Sequence, residues 1–228
     1  MLKKIVLTED GSHTLRVEEI DECYHSTHGA AQESTHIFID AGLMVFLSAC
    51  KSLVCEREIR VLEIGLGTGL NAFLTLLEAE KHKKYIHYTS LEFYPLSADE
   101  ALQLNYPEIL NGDRGAFEEI HRSPWGEDTG ITSFFTLNKI KADFTEYELQ
   151  GQYDVIYFDA FSPEKQPEMW SEACFKKIFA HSATGAVMTT YCAKGAVRRA
   201  MQSAGFVMER LPGPPGKREI LRGSVNSD

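Results

Sequence analysis

The sequence predicts an α/β protein: a doubly wound, mostly parallel sheet with an antiparallel hairpin at its C-terminal edge and a small N-terminal β extension. Three observations carry this. Apolar strand-like runs alternate with amphipathic helical runs from Ile59 onward, as in parallel sheets covered on both faces. The first run passes into Gly65-Leu66-Gly67-Thr68-Gly69, a turn that brings backbone close to a ligand. The last two runs, Phe206–Arg210 and Arg218–Leu221, are joined by Pro212-Gly213-Pro214-Pro215-Gly216 with no helix between them.

The elements follow in order. Lys4–Thr8 and Thr14–Val17 have strand character, and Asp10-Gly11 between them is a hairpin turn. His36–Ile39 reads as a third short strand and Gly42–Cys50 as a lead-in helix. Residues 1–52 therefore form an extension, and 53–228 form the sheet domain. Within it the periodicity predicts strand Ile59–Ile64, helix Asn71–Ala79, strand Ile86–Glu92 and helix Ser97–Leu104. Tyr106–Gly130, with Asn111-Gly112, Ser123-Pro124 and Gly126, reads as short helices and loops. Strands Phe134–Ile140 and Tyr153–Asp159, helix Pro167–Phe179, strand Gly185–Tyr191 and helix Gly195–Ala204 precede the closing hairpin.

Composition bounds the class. With 228 residues, 43% hydrophobic and 25% charged, the chain suits one soluble domain. No apolar run has the length of a membrane span, and the acidic residues Glu9 and Asp10 come too early for a secretory leader. Five scattered cysteines (Cys23, Cys50, Cys55, Cys174 and Cys192) without a C-x-x-C pair fit reduced thiols and a cytoplasmic location. Cys23, His25 and His28 are metal-ligand types, but no second ligand pair accompanies them, so no metal is expected. That loop is expected over the mouth of the site, with Glu33 as a further polar contact. The net charge of −10 is unlike that of a typical nucleic-acid binder. Yet residues 194–222 hold seven cationic against two acidic side chains. Such a stretch can orient a polyanion or be a solvated helix and hairpin.

The glycine turn departs from the dinucleotide pattern G-x-G-x-x-G, because its third glycine comes one residue early and Glu63 precedes it. This favours S-adenosylmethionine, which has no pyrophosphate but carries an ammonium and a sulfonium. Glu63 suits that positive charge, directly or through neighbouring backbone. Gly65, Gly67 and Gly69 supply the close approach. Glu92 lies about 20 residues on, at the spacing of a ribose-binding acid. Asp143 is placed to accept from an adenine amino group, and Phe144 to pack on the ring. Asp159 ends a buried strand at the same crevice. It suits orienting an amine nucleophile and receiving its proton, with Phe161 stacking on a base or closing the site. The alternative assigns Asp159 to a helix cap and Phe161 to the core.

The segment Asp159-Ala160-Phe161-Ser162-Pro163-Glu164-Lys165-Gln166-Pro167-Glu168-Met169-Trp170 resembles the signature of the methyltransferase domain of MnmC-type tRNA-modifying enzymes. So do Gly65–Asn71, Thr190-Tyr191 with Val197-Arg198-Arg199, Ala204-Gly205-Phe206, Gly216–Glu219, and Tyr24–Ala30 with Glu33-Ser34. The resemblance spans about Tyr24 to Gly223, and Gln166 stands where the family often has asparagine. It implies a class I, Rossmann-like methyltransferase fold with S-adenosyl-L-methionine as cofactor. It also implies methylation of 5-aminomethyl(-2-thio)uridine at the tRNA wobble position. Asp159 takes the catalytic place, Asn71 joins the cofactor residues, and Lys165 joins the substrate residues. Arg198, Arg199, Lys217 and Arg218 would hold anticodon-loop phosphates. The stand-alone form without the flavin oxidoreductase domain is expected, acting on an aminomethyl substrate made elsewhere. The rivals are an N-methyltransferase for a small amine or protein, and a non-catalytic cofactor-binding RNA partner.

Overall fold

The computed structural model describes residues 3–49 and 57–226. Cys50, Cys55 and the boundary expected between 52 and 53 lie outside them. Strands β1 (Lys3–Leu7), β2 (His13–Val17) and β3 (Glu22–Cys23) form a small antiparallel sheet. Helix α1 (Ala30–Ser34) runs on through a π-helical segment, Thr35–Leu43, into α2 (Met44–Ala49). The main sheet comprises β4 (Ile59–Ile64), β5 (Ile86–Glu92), β6 (Asp128–Thr132), β7 (Phe135–Lys141), β8 (Tyr153–Phe158), β9 (Ser182–Thr190), β10 (Val207–Pro212) and β11 (Glu219–Ser224). Its helices are α3 (Leu70–His82), α4 (Ala98–Ala101), α5 (Tyr106–Ile109), α6 (Arg114–Arg122), α7 (Glu172–Ala180) and α8 (Gly195–Ala204).

The spatial order is β10-β11-β9-β8-β4-β5-β7-β6. The pairs from β9 to β7 are parallel, and both outer pairs are antiparallel. Strand β8 is buried at all six positions because helices cover both faces of the sheet. The order reverses at β4, and the crevice above that reversal is where such sheets bind ligands. The closing hairpin joins β9 antiparallel, as its helix-free connection predicts.

The differences from expectation have local causes. His36–Ile39 is helical, not a strand. A consecutive Ile37-Phe38-Ile39 run suits a buried strand or a buried helix equally. The helix is chosen by packing, with Phe38 5.2 Å from the Tyr157 ring. The wide winding shows where the Met44 amide bonds to the Ile39 carbonyl, five residues back. Gly42 lets this segment press on the sheet, since a Cβ there would meet Thr189 at 3.2 Å and Tyr157 at 3.4 Å. The expected helix at 97–104 is one turn, started by a capping box between Ser97 and Glu100. The expected helix at 167–179 is split into a 3₁₀ turn, Pro167–Trp170, and α7. Ser171 is extended between them and caps the Cys174 amide. The 106–130 stretch has its two short helices and also the start of edge strand β6.

Two apolar clusters fill the two sides of the sheet. One joins the N-terminal elements, through Leu15 and Phe38, to α3, α6 and the sheet. The other joins β8 and β9 to α7 and α8. The N-terminal piece is thereby fixed over the carboxyl ends of the central strands.

Candidate active site

The main cavity holds about 710 Å³, within the 300–1,000 Å³ or so of small-molecule sites. Its floor is Ile64–Thr68 after β4, and its walls are Leu91–Tyr94, Ala142–Phe144 and Asp159–Phe161. The N-terminal segment Glu22–Thr27 and Glu33 close it from above, as expected for that loop.

The glycine turn is shaped by close approach. Gly65 has φ +97°, and a Cβ there would lie 2.6 Å from the Asp159 carbonyl oxygen. Gly67 has φ +50°, and its Cβ would strike the Tyr24 ring at 2.9 Å. Gly69 ends the turn and starts α3. The turn is also pinned by Glu92, whose carboxylate accepts from the Gly67 amide at 3.0 Å and the Tyr94 amide at 2.8 Å.

Asp159 faces the cavity. Its amide bonds to the Ile64 carbonyl at 2.9 Å, tying the loop after β8 to the end of β4. Its Oδ2 accepts from Asn71 Nδ2 at 2.8 Å. Desolvation, with nearby Glu33 adding, pushes the Asp159 pKa up to about 7; Asn71 and Lys217 oppose the shift. Glu33 is more than nine-tenths buried. One of its oxygens accepts from the Ser26 amide at 2.7 Å, and the other lies 3.3 Å from Lys217 Nζ. The Lys217 ammonium also stands 4.8 Å from the centre of the Tyr191 ring. Phe161 meets Tyr24 edge-on at 5.1 Å, a pair able to shut out water. Gln166 accepts from the Phe161 amide at 3.1 Å, so it holds the loop after β8 in shape.

The structure thus gathers Gly65, Gly67, Glu92, Asp143, Asp159, Phe161, Lys165, Glu33 and Lys217 around one space. Other expected residues sit differently. Glu63 has no exposure and does not line the cavity; Ser90 Oγ donates to it at 2.7 Å. The Phe144 ring packs 6.3 Å from Phe158 and beneath Lys177, and the residue forms part of the cavity wall. Asn71 reaches the site through Asp159. Lys217 points inward to Glu33, and Arg198, Arg199 and Arg218 do not line the cavity. Much of the basic stretch is paired internally: Lys194 with Glu164, Arg210 with Glu219, Arg222 with Glu209.

Residue reasoning missed Tyr191 and the Phe93-Tyr94 pair as cavity walls. The two adjacent aromatics after Glu92 were the available signal. His25 also lines the cavity; its Nε2 lies 2.7 Å from Thr68 Oγ1, and burial pushes its pKa down to about 4. Among the described residues no group of three metal-ligand side chains is gathered. No helix among them is long and apolar enough to cross a membrane.

The residues fit S-adenosylmethionine. The Gly65–Gly67 turn leaves the cavity floor free of side chains at both glycines. Glu92 and Asp143 offer acceptors at successive strand ends, and Asp159 and Glu33 complement positive charge.

Comparison with known proteins agrees with that fit. Residues 127–226 match a family model described as S-adenosyl-L-methionine-dependent methyltransferase. Over 229 residues the chain is 28% identical to the tRNA 5-methylaminomethyl-2-thiouridine biosynthesis bifunctional protein MnmC of Leptospira interrogans, covering 97% of this chain and 35% of that protein. The MnmC protein of Pseudomonas savastanoi pv. phaseolicola is 31% identical over 222 residues, covering 92% and 33%. The chain therefore spans about a third of the length of these relatives. Among solved structures, MnmC2 from Aquifex aeolicus superposes with a TM-score of 0.78 at 26% identity, covering 100% of this chain and 72% of that one. Spermidine synthase from Thermotoga maritima, at 14% identity and a TM-score of 0.63, covers 99% and 70% and shares the fold. Residues 127–226 are thus similar to the S-adenosyl-L-methionine-dependent methyltransferases that this model describes, and the chain is built on one class I methyltransferase fold.

Proposed function

We propose that this protein transfers a methyl group from S-adenosylmethionine to the exocyclic amine of 5-aminomethyl(-2-thio)uridine at the wobble position of tRNA. The single observation that carries the reading is Asp159, a cavity-facing carboxylate held by Asn71 beside the glycine cradle. Bound S-adenosylmethionine supplies an electrophilic methyl group on a good leaving group. The protein's own contribution is alignment and proton handling. An alkylammonium must lose a proton before its nitrogen has a lone pair to present. With a pKa raised to about 7, Asp159 is partly ionised at neutral pH and basic enough to take that proton. Glu33 adds negative potential for the incoming cation, and Lys217 limits it. Tyr24 and Phe161 close over the turn and exclude water. Phe93 and Tyr94, exposed at the rim, offer faces on which a splayed base can stack. The names of the MnmC relatives support the tRNA substrate, and that substrate puts the enzyme in the cytoplasm.

Nucleoside mass spectrometry tests the reading. Purified protein, cofactor and tRNA bearing the aminomethyl nucleoside should yield the methylaminomethyl nucleoside. The internal pairing of the basic stretch favours one rival, a small-amine N-methyltransferase. Methyl uptake into small amines with none into tRNA would establish that rival.

A further inference from the structure

Lys217 places an alkylammonium inside the cavity. Its Nζ lies 3.3 Å from Glu33 Oε1 and 4.8 Å from the centre of the Tyr191 ring, and all three residues line the main cavity together with Asp159. A carboxylate and an aromatic face around one ammonium form a pattern by which proteins recognise organic cations. Both partners are fixed. Glu33 is more than nine-tenths buried, and its second oxygen accepts from the Ser26 amide at 2.7 Å. The Tyr191 hydroxyl donates to the Ala160 carbonyl at 2.8 Å, and its ring stands edge-on to Trp170 with centroids 5.8 Å apart. The pair is thereby tied to the residue that follows Asp159.

The ammonium is the movable part. The Lys217 backbone is held in the turn before β11: its amide bonds to the Pro214 carbonyl at 2.9 Å, and the next carbonyl, of Arg218, accepts from the Gly213 amide at 3.1 Å. Beyond that anchor runs a flexible four-carbon stem. The Lys217 side chain keeps 28% exposure, against 9% for that of Glu33. Rotation of the stem therefore carries the lysine charge into solvent, where it is well hydrated. The Glu33 carboxylate has no such exit. Without a cation beside it, it is a buried charge stripped of its counterion, which is strongly unfavourable. Departure of Lys217 is thus coupled to the arrival of another cation. A neutral base cannot make that exchange. A protonated aminomethyl group can, because it carries the same primary ammonium at the end of a methylene.

We propose that Glu33 and the Tyr191 ring form a receptor for a primary alkylammonium, that Lys217 is its resident occupant, and that the aminomethyl cation of the substrate enters by exchange with Lys217. Lys217 is then an internal competitor through which the site selects charged amines. The electrostatics agree: Glu33 raises and Lys217 lowers the proton affinity of Asp159, so both act on the carboxyl proposed to take the proton of the amine. The receptor stands on the geometry of Lys217, Glu33 and Tyr191. Only the identity of the incoming cation rests on the amine-methylation reading.

Nuclear magnetic resonance of the lysine ε-methylenes tests the exchange, with Lys217 assigned as the signal that Lys217→Arg removes. The face of the Tyr191 ring should displace that signal upfield of ordinary lysines, and Tyr191→Leu should abolish the displacement. In the parent protein, 5-aminomethyluridine should return the signal to the ordinary position, whereas 5-methyluridine, which has no ammonium, should leave it displaced. A signal that keeps its displacement with 5-aminomethyluridine bound, or that responds alike to both nucleosides, overturns the proposal. Titration calorimetry with 5-aminomethyluridine gives a second reading. With the resident ammonium filling the receptor about nine-tenths of the time, Lys217→Met should bind the amine about tenfold more tightly, and Glu33→Gln should bind it more weakly. Equal or weaker binding by Lys217→Met, as a salt bridge serving only the fold would give, overturns the proposal. So does an amine that binds none of these proteins. Should Lys217→Met fail to fold, the spectra of the parent still decide. Neither readout involves methyl transfer. Exchange without methylation of tRNA would sink the functional reading alone, and tRNA methylation with Lys217 undisplaced would sink this one alone.

Discussion

At the scale of single residues, the role proposed for Asp159 sets function against stability. Asp159→Ala should lower kcat for methyl transfer by about 10²–10⁴-fold, with cofactor affinity within a few-fold, as calorimetry and single-turnover kinetics would read it. An unchanged kcat would remove Asp159 from the chemistry. The same carboxyl has a second signature. Its folded-state pKa, about 7, lies above its ordinary value of 3.8. The stability it contributes is therefore fully present below about pH 4 and is lost as pH rises through 7. Asparagine has no such loss. Asp159→Asn should gain about 1–3 kcal/mol over the parent between pH 4 and pH 8, seen as a Tm difference that opens with rising pH. A difference independent of pH would show that Asp159 is ordinary in its proton affinity.

At the scale of elements, the β4 turn shows how a local pattern becomes a site. Both Gly65 and Gly67 have positive φ, so alanine at either strains the backbone by about 1 kcal/mol or more. The two differ in what a Cβ would meet. At Gly65 it meets the Asp159 carbonyl, which cannot rotate away without moving the loop after β8; at Gly67 it meets the edge of the Tyr24 ring. Gly65→Ala should therefore lose far more cofactor affinity, at least tenfold, than Gly67→Ala, measured by titration calorimetry. The reverse order would mean that Tyr24, and not the Asp159 loop, sets the cofactor floor. This turn was legible in sequence because strand, glycines and helix are all local, and the acids at 92, 143 and 159 follow from strand ends. The 35–43 helix was not, since its choice between strand and helix is made by Tyr157 and Thr189, far away in the chain. Glu63 ends β4 as expected, and its side chain turns into the interior beside Ser90; a pattern of residue types does not say which way a strand-end side chain turns. Lys217 was assigned by charge, and the hairpin sets it at the cavity wall 3.3 Å from Glu33, a partner that charge alone does not reveal.

At the scale of the whole molecule, charge must be counted after pairing and not before. A stretch with a formal surplus of cations has Lys194, Arg210, Arg222 and Lys217 each facing a carboxylate. Arg199 and Arg218 are exposed and are the side chains of that stretch best placed to meet a phosphate. Arg198 lies alongside, 3.3 Å from the Gln202 amide oxygen. If tRNA is bound there, each phosphate contact releases counterions, and log affinity falls with log salt by roughly 0.7–0.9 per contact. Replacing Arg199 and Arg218 together by alanine should flatten that slope by about one to two units, as filter binding across a salt series would show. Lys217→Ala removes a charge already neutralised by Glu33 and should leave the slope unchanged. A slope that responds to Lys217 and ignores the two arginines would mean that the nucleic acid enters the cavity with its backbone first, against the polarity of a cavity lined by Glu33, Glu92, Asp143 and Asp159.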